Sequence, residues 1–150
     1  MAADGSENAE RALDFALDLA EKYGAAVTIL NVSEIAAVSA VPSVSAVPSP
    51  QVAGYSSQGI VVLDKDIRRI HENILTKAVE YARQTRPNVS VSAVLREGEP
   101  ALSIASFAKE GEFSVVLLGH KGLGKLKEIF LGSISERVTH LADCTVIIVR

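Results

Sequence analysis

Gly119-His120-Lys121-Gly122-Leu123-Gly124-Lys125-Leu126-Lys127-Glu128-Ile129-Phe130-Leu131-Gly132-Ser133 is the stretch on which the reading of this chain turns. It follows Val115-Val116-Leu117-Leu118, an apolar run that predicts a fully buried strand, and a helical pattern begins at Ser133. Glycines at the mouth of a strand have no Cβ, accept positive φ and let main-chain N–H groups approach an anion closely. Gly132 stands just ahead of a helix N-terminus, where unpaired N–H groups and the helix dipole also favour negative charge. Residues 123–131 therefore separate two anion-favouring positions, the layout of a two-sided phosphate cradle.

Two other readings compete for these residues. Gly119-x4-Gly124-Lys125 satisfies most of a Walker A pattern, which requires Ser or Thr next. Leu126 stands there and cannot coordinate Mg²⁺, and a Walker loop would run straight into its helix rather than reach one at Ser133. An unliganded glycine-rich turn is the other, with Ser133-x-x-Glu136 as an ordinary capping box.

The 150 residues suit one domain able to bury roughly two-thirds of its unfolded surface. Hydrophobic residues make up 48% and charged residues 22%, a globular balance, and the net charge of −3 leaves no basic stripe for nucleic acid. Cys144 is the only cysteine, so an internal disulfide is excluded, and no His/Cys cluster has metal-ligand spacing. His71, His120 and His140 are far apart in sequence and read as solvated or loop residues. No apolar run approaches the ~18 residues of a membrane span, and Met1-Ala2-Ala3-Asp4 is no signal peptide. A cytoplasmic domain with no membrane partner is the expectation.

Along the chain, Ser6 is a good N-cap for a first helix, with Ala9, Ala12, Leu13, Ala16, Leu17, Ala20 and Tyr23 at helical spacing and Gly24 as its stop. Val27-Thr28-Ile29-Leu30-Asn31-Val32 reads as a strand. From about residue 34 to 60 the composition shifts to Ala, Val, Ser and Pro, and Ser39-Ala40-Val41-Pro42-Ser43 recurs as Ser45-Ala46-Val47-Pro48-Ser49. Such a connection predicts a flexible insertion; if ordered, it would serve as a lid or partner arm. Asp64 or Asp66 can cap a second helix with Ile67, Ile70, Ile74, Ala78, Tyr81 and Ala82 on its apolar face, ended by Pro87. A strand over Val89 to Leu95, a helix from Pro100 to about Lys109, the strand Ser114 to Leu118, a helix carrying Ile134, Val138 and Leu141, and a strand over Thr145 to Val149 complete the order. Helices alternating with near-continuous apolar strands predict an α/β fold, a mostly parallel sheet covered on both faces.

Gly119-x2-Gly122-x9-Gly132-Ser133 resembles the nucleotide-binding signature of the universal stress protein family, in its ATP-binding branch. The resemblance extends to Asp4-Gly5-Ser6, to Gly98-Glu99-Pro100 and to the closing Val146-Ile147-Ile148-Val149-Arg150. It implies one domain over 1–150: an open, Rossmann-like five-stranded sheet of order 3-2-1-4-5, of the adenine nucleotide alpha hydrolase-like type, with its crevice where the winding reverses. That family opens with a buried apolar strand, whereas only Met1-Ala2-Ala3 precede Asp4 here. Losing about four or five buried side chains at roughly 1.5–3 kcal/mol each would rival a net stability of about 5–15 kcal/mol. The expectation is either a start placed too late or a stunted first strand that leaves a gap in the sheet.

The resemblance also implies roles at matching positions. Asp4 corresponds to the acidic residue near ribose and adenine, and Val32 to the position whose backbone reads the adenine edge. Leu118 corresponds to the apolar neighbour, and Gly119 and Gly122 to the donors near ribose and α-phosphate. Gly132, Ser133 and Ile134 correspond to the groups at the β- and γ-phosphates. The implied ligand is ATP with Mg²⁺ or Mn²⁺, and the implied partner a second copy joined through the last strand. His120 departs from the small hydroxyl residue often found in the family, and Thr145 from its proline. Lys121, Lys125 and Lys127 can add charge toward a polyphosphate, but solvated lysines are the preferred reading. No paired base and nucleophile stands out; Glu136 and His120 are the candidates. An ATP-binding regulatory dimer is therefore the leading expectation. A slow ATPase or phosphotransferase, and a dimerisation module that binds no nucleotide, are the alternatives.

Overall fold

The computed structural model describes residues 1–34, 57–123 and 131–150, and the side chains of all these except residues 57–64. The near-repeat and most of the Ala/Val/Ser/Pro-rich segment, together with Lys125, Lys127 and Glu128, lie outside the described residues. In chain order the elements are α1 (Glu7–Tyr23), β1 (Val27–Ser33), α2 (Ser57–Thr85), β2 (Val91–Glu97), α3 (Pro100–Glu110), β3 (Val115–Gly119), α4 (Ser133–Leu141) and β4 (Thr145–Val149).

The strands form two parallel pairs. β1 runs beside β2, with Val27 opposite Val91 and Ser33 opposite Glu97, and β3 runs beside β4, with Val115 opposite Thr145. Residues 1–3 lie between the pairs. Ala2 N donates to Leu117 O at 3.0 Å, Ala3 N to Leu30 O at 2.8 Å and Leu30 N to Met1 O at 2.9 Å, and Ala2 forms an isolated parallel bridge with Leu30. The lateral order is thus β2-β1-(1–3)-β3-β4, the expected order with its central member reduced to a bridge. The expected five strands are four among the described residues, because three residues are too few to build a ladder. Below the bridge a small apolar slot remains, lined by Met1, Thr28, Phe113 and Val115 among others.

Each face of this layer has its own core, as strand alternation requires. Leu13, Leu17, Leu75 and Ala82 of α1 and α2 pack with Ala3, Ile29 and Leu117. Ala101, Ile104 and Ala108 of α3 and Val138 of α4 pack with Leu30, Val116 and Leu118. Ala3, Ile29 and Leu117 face one helix pair, while Leu30, Val116 and Leu118 face the other.

The helices correct several expectations. α1 buries Ala9, Ala12, Leu13, Ala16, Leu17 and Ala20 as its spacing predicts, but Tyr23 is exposed beside Lys22. α2 begins at Ser57, ahead of Asp64 and Asp66, and packs through Ile74, Leu75, Ala78, Val79 and Ala82. Ile70 is 59% exposed, and Tyr81 lies at the rim, where its hydroxyl donates to Asp14 Oδ1 at 2.6 Å. A pattern taken from apolar letters alone centred this face too far toward Ile70 and Tyr81. In α3 and α4, Leu102, Ile134 and Leu141 are exposed.

Two outcomes are expected. Leu17→Ala, at one of the largest fully buried side chains, should cost about 2–5 kcal/mol in denaturant unfolding, whereas Ile70→Ala should stay within about 0.5 kcal/mol. The Met1 amine donates to Thr28 O at 2.8 Å, and burial lowers its pKa from 8.0 to about 6. Between those values the unfolded chain binds more protons than the folded one, so stability rises with pH across that window. The gain is about 2–3 kcal/mol, complete above the unfolded value and absent below the folded one. Denaturation of the chain with a free Met1 amine at pH 5.5 and 8.5 checks this, and acetylating the amine should abolish the dependence.

Candidate functional site

At the carboxyl ends of the strands, where residues 1–3 pass between β1 and β3, lies an open crevice of about 110 Å³. Leu30, Val32, Pro100, Ile104, Leu118 and Ile134 make it largely apolar, and Asp4, Lys121 and Ser135 supply polar groups. A larger concavity lies elsewhere, an open groove between α1 and α2 lined by Glu7, Glu10, Asp14, Lys77 and Tyr81. None of the described residues of the glycine loop stands in its walls.

Asp4 is held by the turn that leads into α1. Gly5 takes φ 81°, a conformation glycine accepts readily, so the chain reverses within one residue. Ser6 N then donates to Asp4 Oδ1 at 2.9 Å, and Ser6 Oγ accepts from Ala9 N at 3.2 Å. Asp4 lies against the loop, so a Cβ on Gly122 would run into its Oδ2. A Cβ on Gly119 would lie 2.7 Å from the carbonyl carbon of Asn8. Neither glycine has positive φ, so the conformational freedom anticipated for them is not used; Gly119 is pressed by the Asn8 backbone and Gly122 only by the end of the Asp4 side chain.

Across the crevice, the capping box that the unliganded-turn reading drew from Ser133 and Glu136 does not form. Gly132 is the N-cap of α4, Ser133 is its first helical residue, and Glu136 N donates to Gly132 O at 2.9 Å. The Gly132 N–H is not open to a ligand, since it donates to His120 O at 2.7 Å. The N–H groups of Ser133, Ile134 and Ser135 have no acceptor within the helix, and no side chain caps them from Gly132. Ser135, absent from the sequence expectations, lines the crevice and donates its Oγ to Gly119 O at 2.8 Å.

Three helix N-termini border this space, and their caps differ. α1 is capped by Ser6. α3 is capped by the Glu99 carboxylate, which accepts from Ala101 N at 3.3 Å and Leu102 N at 2.9 Å and pairs with Arg137 at 2.8 Å. At α4, Gly132 has no side chain to serve as a cap, and among the described residues no side-chain cap is seen. Its first-turn N–H groups thus differ from those of α1 and α3, which have side-chain acceptors.

The sequence-derived positions thus separate into two sets. Asp4, Val32, Leu118, Gly119, Gly122 and Ile134 line the crevice; Gly132 and Ser133 lie at the α4 end without lining it. His120 is also outside the lining, with its Nδ1 buried and unpartnered and its backbone tied to Val149 O at 2.7 Å. Sequence reasoning missed Ser135, Pro100 and Ile104, whose roles arise from the packing of α3 against α4. It also missed Asn31, a buried polar side chain within a strand that otherwise reads as core. That polar letter in an apolar run was the available signal.

A parallel α/β layer with a glycine-loop crevice at the ends of its central strands defines the class. The universal stress protein family profile matches residues 1–150, and the chain belongs to that family. It is 34% identical over 150 residues, all of this chain and 96% of its relative, to the universal stress protein YxiE of Bacillus subtilis. The universal stress protein UspA from Lactobacillus plantarum has a similar fold, with a TM-score of 0.67 at 23% identity, covering 99% of this chain and 94% of that one. A universal stress protein in complex with cAMP aligns with a TM-score of 0.63 at 20% identity, over 100% and 93% of the two chains. One from Archaeoglobus fulgidus in complex with dAMP aligns at 0.60 and 22% identity, over 99% and 94%.

The two loop glycines should respond differently to a methyl group. Gly119→Ala pushes on the Asn8 backbone and should cost about 1–3 kcal/mol in denaturant unfolding. Gly122→Ala meets only the movable end of a carboxylate and should cost less than about 1 kcal/mol.

Proposed function

We propose that this universal stress protein domain, spanning 1–150, binds an adenine nucleotide in the crevice, with ATP as its ligand. The apolar walls formed by Val32, Leu118 and Ile104 suit a purine, and Asp4 suits the ribose hydroxyls. The phosphates then reach the first turn of α4 at Ser133 and Ile134. The uncapped state of that helix, beside two helix starts that carry side-chain caps, is the observation that supports this most. The cAMP and dAMP bound by structurally similar family members support the adenine assignment.

Among the described residues no group of three His, Cys, Asp or Glu side chains could hold a metal, and Asp4 is the one carboxylate in the crevice lining. A Mg²⁺ or Mn²⁺ ion would therefore arrive with the phosphates and draw on Asp4 at most. Binding is favoured over hydrolysis because neither Glu136 nor His120 lines the crevice. β4 pairs with β3 and has Val146 to Val149 only partly buried, so its outer edge suits a second copy of the chain. No helix of the described residues is long and apolar enough to cross a membrane, in keeping with a cytoplasmic regulatory role.

Calorimetric titration with ATP and Mg²⁺, run alongside phosphate release, tests the reading. Micromolar affinity with negligible turnover is expected; sustained release would make the domain an enzyme, and absence of binding would leave a dimerisation module. Gly132→Asp places a carboxylate where α4 lacks a cap, at backbone angles (φ −63°, ψ 142°) that suit an N-cap residue. It should weaken ATP binding by more than about tenfold through charge repulsion and competition for the same N–H groups. A Cβ there would lie 3.1 Å from His120 O, so the melting temperature, read alongside, separates competition for the N–H groups from a displaced loop. Unchanged affinity would remove α4 from the site.

A further inference from the structure

We infer that His71, on the opposite face of the sheet from the adenine walls, sets the position of Asp4 through a buried hydrogen-bond relay. Asn31 lies on β1 with its side chain toward α1 and α2 and is 2% exposed, so both ends of its amide need partners. Its Nδ2 donates to Ala3 O at 2.6 Å, and its Oδ1 lies 2.6 Å from His71 Nδ1. A carbonyl can only accept, so Ala3 decides which end of the amide faces it. Oδ1 is thereby turned to the imidazole, and Nδ1 must carry the proton.

The Ala3 carbonyl belongs to the peptide that joins Ala3 to Asp4. Rotation of that peptide plane would swing Asp4 away from Ser6 N and from Gly122, the two groups it is fitted against. The bond from Ala3 N to Leu30 O at 2.8 Å fixes the preceding peptide, Ala2–Ala3, and not this one. Asn31 holds the Ala3–Asp4 plane through its carbonyl, and His71 holds Asn31. His71 is accordingly a positioning residue: it touches no part of the crevice and acts through two intermediates. Its effect on affinity rests on the proposed nucleotide reading, whereas its effect on Asp4 does not.

The test uses the full chain and two variants. His71→Leu removes the donor, and His71→Asn restores an N–H at the place of Nδ1. His71→Leu should weaken ATP binding about five- to tenfold, the worth of one hydrogen bond, and His71→Asn should return it to within about twofold. In an Asp4→Ala background His71→Leu should change affinity less than about twofold, because the relay then has nothing to position. A purely structural role would weaken binding equally in both backgrounds, and that result would overturn the inference, as would wild-type affinity in His71→Leu. Without any nucleotide, nitrogen NMR should find the His71 proton on Nδ1, and the Asp4 and Gly122 amide resonances should move in His71→Leu and return in His71→Asn. Unmoved resonances overturn the relay. Moved resonances in a protein that fails to bind ATP uphold the relay and overturn the nucleotide reading instead.

Discussion

Main-chain hydrogen bonds made by residues 1–3 carry this structure. Two parallel pairs of strands would otherwise face each other with unsatisfied edges, and buried peptide groups are costly when unpaired. Ala2 reaches Leu117 on one side, and Met1 and Ala3 reach Leu30 on the other, so a tripeptide closes the layer beside the crevice. Because the seam ends at Asp4, the closure that joins the sheet also delivers a carboxylate to the crevice. Stability and site geometry therefore share the same few bonds. The buried amine at Met1 is a cost of that arrangement, set by desolvation of a charge.

Around the crevice, the chain's own side chains decide which helix starts are satisfied internally. Ser6 and Glu99 satisfy the first turns of α1 and α3 internally, and the Glu99 carboxylate is itself paired with Arg137. Gly132 has no side chain to do the same for α4. A helix start of this kind is a fixed source of N–H donors with positive potential. An unfilled cap costs stability, roughly the ~1 kcal/mol of a lost N-cap, and such a cost is reasonable where a ligand supplies the missing acceptor.

Particular residues show how far sequence reasoning reached. The α1 face was legible because Ala9 through Ala20 repeat at clean helical spacing against a charged opposite face. The α2 face was harder: Ile70 and Tyr81 are apolar letters on a helix that presents only one stripe to the layer, and the position of that stripe is set by contact with β1 and α1. Gly119 and Gly122 line the crevice, but their lack of a side chain serves a different purpose from the one anticipated. Neither adopts positive φ; each makes room for a neighbour distant in sequence, Asn8 in one case and Asp4 in the other. The Ser133-x-x-Glu136 pattern read as a capping box, yet the helix starts one residue earlier than that box requires, with Gly132 held by His120.

Local periodicity and composition, which depend only on neighbours along the chain, were enough for the alternating α/β order and the parallel layer. The spacing of glycines was enough, with the resemblance it carries, for the family and the end of the sheet that holds the crevice. What the linear chain could not state is which groups remain unpaired once everything is packed. That Gly132 N–H is spent on His120, that α4 alone of three helix starts lacks a side-chain cap, and that Asn31 bridges His71 to the peptide before Asp4 all rest on contacts between residues far apart in sequence. Hydrogen bonds are satisfied in space, and only the tertiary structure brings those donors and acceptors within reach of one another.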